Sequence, residues 1–203
     1  SFFFLGLAVM PLSDATALFF IAPVVITMFS VIFLGEKVGK FRWSATAIGL
    51  IGAVIMLRPT SASFQPVAIL PLLAAVCYAG IHMLSRRMGG TESASTLSVY
   101  IQAVFLVVGL FMGLAFGDGR FAPGDGRSLD FLLRAWVMPP PSDYPVLLII
   151  GLSSAIGGYC VSQAYRVCEA AVIAPFEYTA LVMSIVWGFT IFGSWPDYVA
   201  WTG

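Results

Sequence analysis

The sequence predicts an all-α integral membrane protein, a helical bundle built from inverted five-helix repeats, and three observations predict it. First, 60% of the 203 residues are hydrophobic and 10% charged, against roughly 25% charged in soluble domains; the mean hydropathy is +0.96. Second, apolar stretches of about 20 residues, enough to cross a hydrocarbon layer near 30 Å thick, recur along the whole chain. Lipid is the solvent that hides so much apolar surface. Third, residues 14–34 and 171–192 look like copies: an offset of 158 lays Gly35 on Gly193, Trp43 on Trp201 and Ala22 on Ala180. Identity between the copies is thin, so the match rests on hydropathy and landmark spacing. Four further apolar stretches lie between them. One repeat therefore advances the chain by about five spans, an odd number that reverses orientation. Weak internal symmetry with inverted topology marks secondary transporters, whose binding site lies where the repeats meet.

The elements follow in order. Residues 1–10 read as the second half of a helix whose beginning is missing, ending at Pro11; Ser13 or Asp14 can cap the next helix. That helix, about 14–34, contains Pro23 and stops at Leu34-Gly35-Glu36-Lys37. A short span at 42–58 opens with Phe41-Arg42-Trp43, an aromatic and basic interfacial anchor, and closes at Arg58-Pro59. The next runs about 66–88, from Pro66 to Arg86-Arg87, and another about 93–117, to Gly117-Asp118-Gly119. A long connection, 118–143, holds Pro139-Pro140-Pro141; within it Leu129 to Val137, with Trp136, can lie as a short amphipathic piece on the membrane surface. Spans at about 144–165 and 171–192 follow, and Trp195-Pro196-Asp197 begins another helix. The expected inventory is about five complete spans, the short one at 42–58 included, plus partial helices at both ends.

Lysines and arginines set the orientation. Lys37, Lys40, Arg42, Arg86, Arg87 and Arg166 collect on one side. The other side has Arg58 in a short loop, and Arg120, Arg127 and Arg134 interleaved with Asp118, Asp125 and Asp130 in the long one. Short loops weigh most, so the Lys37, Arg86 and Arg166 loops are expected in the cytoplasm of a multi-pass protein of the cell (inner) membrane. Helix 14–34 then runs inward and helix 171–192 outward.

Several chemistries are disfavoured. Cys77, Cys160 and Cys168 have no CxxC spacing and read as small apolar fillers. No HExxH, GxSxG elbow or carboxylate cluster at metal-ligand spacing is present, and no GxxxxGK[ST] run. The expectation is no enzyme, no cofactor, no metal and no nucleic-acid partner. The partners expected are the lipid bilayer and a small-molecule substrate, with proton coupling open and the oligomeric state unspecified.

Polar groups inside spans are expensive in lipid and should face the bundle interior or a water-filled path. Glu177 leads the candidates, about two turns into the helix region that starts near Glu169. On an unbroken helix it shares a face with Ser184 and with Trp187 or Gly188. It is open to two roles: a proton carrier or substrate-ammonium partner, or a structural hydrogen-bonder near the interface. His82, the single histidine, lies four residues after Tyr78 on one face that Ser85 continues; it can couple transport to protons or make an interhelical hydrogen bond. Tyr159 and Gln163 share a face of 144–165, whereas Tyr100 and Gln102 diverge. Tyr78, Tyr159 and Trp187 can stack on a flat substrate or simply pack. Pro23 and Pro175 are hinge candidates, since each interrupts the hydrogen-bond ladder. Gly49-x-x-Gly52-Ala53, Gly109-x-x-x-Gly113 and Gly151 through Gly157-Gly158 allow close helix contact.

The run Asp14-Ala15-Thr16-Ala17-Leu18, through Ala22-Pro23 to Leu34-Gly35-Glu36-Lys37, resembles the end of the first repeat in EamA-type members of the drug/metabolite transporter superfamily. Ala174-Pro175-Phe176-Glu177-Tyr178-Thr179-Ala180-Leu181, then Phe192-Gly193 and Pro196-Asp197, resembles the matching helix of the second. One departure is Ser194, where the family often has Glu, so that end lacks a capping carboxylate. The resemblance implies about ten membrane helices in two inverted repeats, a central cavity and no ATP-driven motor. On it, residues 1–60 are the C-terminal part of the first repeat and 61–203 the second, truncated in its last helix. The function it implies is a secondary transporter of an amino-acid-, nucleotide- or vitamin-like metabolite by alternating access. A non-transporting membrane receptor or assembly factor is the alternative.

Overall fold

Pro23 decides how the first long apolar run folds. In the computed structural model, described for residues 2–7, 10, 12–59, 66–120, 135–193, 198 and 202, the helix expected at 14–34 is two. After α1 (Phe2–Leu7) come α2 (Leu12–Phe19) and α3 (Ala22–Leu34), parted at Phe20 and Ile21. A proline has no N–H for the ladder, and Pro23 sits in the first turn of α3, where that N–H is not needed. The backbone tightens just before it: the Val24 and Val25 N–H groups both donate to the Ile21 carbonyl, at 3.0 and 3.1 Å. The Phe20 carbonyl thereby loses its helical donor, Val24. Helix α2 starts at Leu12, so Ser13 and Asp14 lie inside it rather than capping it, and Asp14 is fully buried in the first turn.

The second copy is broken too. The run expected at 171–192 consists of α8 (Ala170–Ile173), a 3₁₀ segment at Ala174–Tyr178 that contains Pro175, and α9 (Thr179–Phe192). Under the 158-residue offset the Phe20–Ile21 break falls on Tyr178–Thr179, so both copies change conformation at one register. Both also stop alike: Gly35 and Gly193 take left-handed backbone, φ +68° and +62°, and close their helices by donating back to carbonyls of the last turn. No atom would meet a Cβ within 4 Å at either glycine, so only backbone strain opposes a side chain there. Gly35→Ala and Gly193→Ala are each expected to lower stability by about 1 kcal/mol, read from unfolding in detergent.

Between the copies lie α4 (Lys40–Leu57), a 3₁₀ turn at Pro66–Ala68 leading into α5 (Ile69–Met88), α6 (Ala94–Phe116), a second 3₁₀ turn at Pro141–Asp143, and α7 (Tyr144–Val167). Ser93 caps α6, its Oγ accepting the Thr96 N–H at 3.1 Å. Among the described residues six stretches are long and apolar enough to cross a membrane, one for each of the apolar runs read from 14–34 to 171–192. Trp195-Pro196-Asp197 and residues 129–134 of the expected amphipathic piece lie outside the described residues; Ala135 to Val137 form no helix.

Two compact units result, residues 1–84 with 168–203, and residues 85–167. In the first, the buried apolar set is mostly alanine: Ala15, Ala22, Ala53, Ala75, Ala79, Ala170, Ala171 and Ala174 are essentially inaccessible. Large side chains such as Phe33, Phe41 and Ile48 stay exposed. That is the pattern of helices packing in lipid, where small residues let backbones approach and big apolar ones face the tails. In the second unit α6 and α7 pack together: Gln102 Nε2 donates to Ser154 Oγ at 3.1 Å, and Gly158 leaves room for Ser98. Beyond α6, Asp118 pairs with Arg120, whose backbone N–H and guanidinium hold that carboxyl below the usual range.

Candidate functional site

The two broken helices meet at their breaks. The Tyr178 ring stacks on Phe20, centroids 5.9 Å apart and planes 24° from parallel. Its hydroxyl donates to the Phe20 carbonyl at 3.1 Å, the carbonyl that the turn before Pro23 released. Phe20 and Tyr178 are the positions that the 158-residue offset equates. Farther along, Glu36, past the end of α3, touches Ala170 and Ala171 at the start of α8. One copy's end therefore lies beside the other's beginning, and the two run antiparallel. Gly49 of α4 forms the floor under Tyr178; a Cβ there would lie 2.1 Å from Tyr178 Cδ2.

Next to this crossing the structure gathers three of the expected polar residues. Tyr78 donates its hydroxyl to Glu177 Oε1 at 3.3 Å. His82, one turn along α5, sets its ring edge-on to Tyr78 at 4.2 Å; it is 5% exposed. Phe19 also packs edge-on to Tyr78, at 5.4 Å. The result is an acid, a phenol and an imidazole within membrane spans, walled by aromatic rings. Such groups cost several kcal/mol in hydrocarbon unless satisfied. Here Tyr78 and Glu177 share a hydrogen bond, His82 adds a ring contact, and together they present one carboxyl acceptor, ring edges and ring faces.

The remaining expected residues stand apart from that cluster. Ser184 and Trp187 of α9 are exposed, and Ser184 spends its hydroxyl on the Leu181 carbonyl at 2.6 Å. The shared face expected with Glu177 presumed an unbroken α-helix, whereas Glu177 lies in the 3₁₀ segment, where residues step by about 120°. Tyr159, exposed, and Gln163, half-buried, belong to α7 in the 85–167 unit. Of the hinge candidates, Pro23 and Pro175 both sit at the breaks.

Three features escaped the sequence reading. Asp14, one of two capping candidates by sequence, is a buried acid; its place in an apolar run is the signal for that. Tyr178 is the residue that joins the copies. Glu36 accepts the Ala170 and Ala171 N–H groups at 3.1 and 3.2 Å, while Arg42 pairs with Glu169 beside it. Glu36 also lines an open cavity of about 610 Å³ with Val31, Lys37, Val38 and Trp43.

Residues 1–58 match the EamA-like transporter family. Over 198 residues the chain is 32% identical to a riboflavin transporter of Rhizobium johnstonii, covering 98% of this chain and 60% of that one. It is 26% identical over 192 residues to an S-adenosylmethionine uptake transporter of Rickettsia prowazekii (95% and 59%). It is 25% identical over 196 residues to a pseudopaline exporter of Pseudomonas aeruginosa (96% and 63%). The chain thus spans about 60% of the length of the first of these curated relatives. One solved crystal structure shares the fold, with a TM-score of 0.73 at 21% identity, over 98% of this chain and 66% of that one.

Proposed function

We infer, from the match of residues 1–58 to the EamA-like transporter family, that the protein is a secondary transporter of a small organic metabolite working by alternating access, and not an enzyme. The observation that carries this reading is the meeting of two broken antiparallel helices at one repeat register, Phe20 against Tyr178, with Glu177, Tyr78 and His82 beside it. Broken helices crossing between inverted repeats are where such transporters place their sites. On this reading residues 1–60 and 61–203 are parts of two repeats that rock about the crossing.

Glu177 and Tyr78 are the substrate-binding or coupling pair, His82 orders Tyr78, and Phe19 and Tyr78 supply ring faces. Ser184 and Trp187 of α9 are the candidates next along the same broken helix, and Tyr159 and Gln163 are separate candidates on α7. The substrate class is a flat, polar metabolite, such as the riboflavin and S-adenosylmethionine that name two of the relatives. The basic Lys37, Arg86 and Arg166 loops face the cytoplasm from the inner membrane.

The test is flux in proteoliposomes holding the full-length protein, with labelled riboflavin, S-adenosylmethionine and a panel of other metabolites. Saturable movement of one of them is expected. Binding without flux across the whole panel would favour a receptor and sink the transporter reading.

A further inference from the structure

We propose that Glu36 is a one-sided latch: its carboxylate holds the Lys37 end of the protein closed and, through the single turn of α8, positions Glu177. The proposal rests on the transporter reading above and concerns what biases its two states. The first N–H groups of a helix have no partner within it. In α8 the N-cap residue Glu169 does not supply one, because its carboxylate is paired with Arg42. Glu36 takes its place from the other copy, one oxygen on Ala170 N–H and the second on Ala171 N–H.

What the latch holds is short. Helix α8 is four residues long, and the 3₁₀ segment carrying Glu177 and Tyr178 follows it directly. Glu36 itself is fixed one residue past the left-handed Gly35 that ends α3, its N–H donating to the Ser30 carbonyl at 3.1 Å. A rigid helix end therefore grips the first turn of the element that bears the acid. While both bonds hold, α3 and α8 cannot part at the Lys37 end.

Inverted repeats make the two closed states related by the same offset that pairs Phe20 with Tyr178. That offset carries Ala170 and Ala171 onto Leu12 and Ser13, and Glu36 onto Ser194. A carboxylate accepts two N–H groups and carries a charge that favours a helix N-terminus; a serine hydroxyl brings no charge. The offset therefore gives Glu36 no carboxylate counterpart in sequence, and on this proposal the Lys37-closed state is the favoured one without substrate.

The experiment uses paired reporters at equivalent positions, Ser30→Cys and Gly188→Cys, each in full-length protein with Cys77, Cys160 and Cys168 replaced by Ser. Ser30 is fully buried on α3 below the latch. A membrane-impermeant maleimide is applied to oriented vesicles without substrate. In Glu36→Gln, labelling of Ser30→Cys from the Lys37 side is expected to rise about tenfold, the worth of one charge-assisted hydrogen bond, while labelling of Gly188→Cys from the other side falls. Ser194→Glu, which leaves Glu36 untouched, is expected to move both reporters in the same two directions. Faster labelling of both reporters in Glu36→Gln would mean general loosening and overturn the latch, as would no change in either. Labelling needs no flux, so a failed transport assay beside reciprocal labelling would count against the transporter reading and not against the latch.

Discussion

Glu177→Gln is expected to cut substrate flux by at least about tenfold, since hydrogen bonds to a charged group are worth about 1.5–3 kcal/mol, while leaving the protein folded and no less stable. The amide keeps the shape and retains one oxygen for the Tyr78 hydroxyl, which reaches Oε1 at 3.3 Å. What it loses is the charge. If the carboxylate served only to satisfy Tyr78, exchanging an ion in a membrane span for a neutral isostere would be neutral or stabilising, because placing an ionised group there is costly. Flux and stability therefore part company only when the charge acts on something that moves. Uptake by proteoliposomes, read beside thermal unfolding in the same detergent, separates the two: unchanged flux would reduce Glu177 to a hydrogen-bonding support. Tyr78→Phe gives the complementary result, with flux retained in larger part, since it removes a donor and keeps both the ring against Phe19 and the carboxylate.

How much of this was legible in the sequence depended on the range of the forces involved. Span positions were, because the lipid demands long apolar runs and the runs end where Gly35 and Gly193 permit left-handed backbone. The pairing of Tyr78 with His82 was, since four residues on a helix bring two side chains to one face. The breaks were only half legible: Pro23 and Pro175 announced them, but hydropathy runs unchanged through Phe20 and through the 3₁₀ segment, so each copy read as one helix. Contacts between distant elements left no local trace. Nothing near Tyr78 in sequence announces Glu177, 99 residues away, and nothing near Glu36 announces the N–H groups it caps 134 and 135 residues on. Tyr159 and Gln163 share a face as expected, yet the chain assigns them to the other compact unit. The offset itself held more than hydropathy suggested: the positions it equates, 20 and 178, are the ones that touch.

That contact makes Gly49→Ala the substitution with the largest expected effect on folding. An added Cβ would lie 2.1, 2.5 and 2.8 Å from Tyr178 Cδ2, Cε2 and Cγ, closer than side-chain atoms tolerate. A flexible neighbour would swing away. Tyr178 is 8% exposed, held by its hydroxyl on the Phe20 carbonyl and by the Phe20 ring, so relief means breaking that bond and leaving two polar groups unsatisfied. Overpacking and the lost hydrogen bond together are expected to cost about 3 kcal/mol, seen as a lower unfolding midpoint. Flux should fall as well, because Glu177 is the adjacent residue. Gly151→Ala on α7, where no atom lies within 4 Å of the new methyl, is the control and should be neutral or slightly stabilising by helix propensity. In a Tyr178→Ala background, where there is no ring to clash with, Gly49→Ala should cost little, a coupling that residues out of contact do not show. Equal midpoints for Gly49→Ala and Gly151→Ala would mean that Tyr178 does not bind the two copies together at this point.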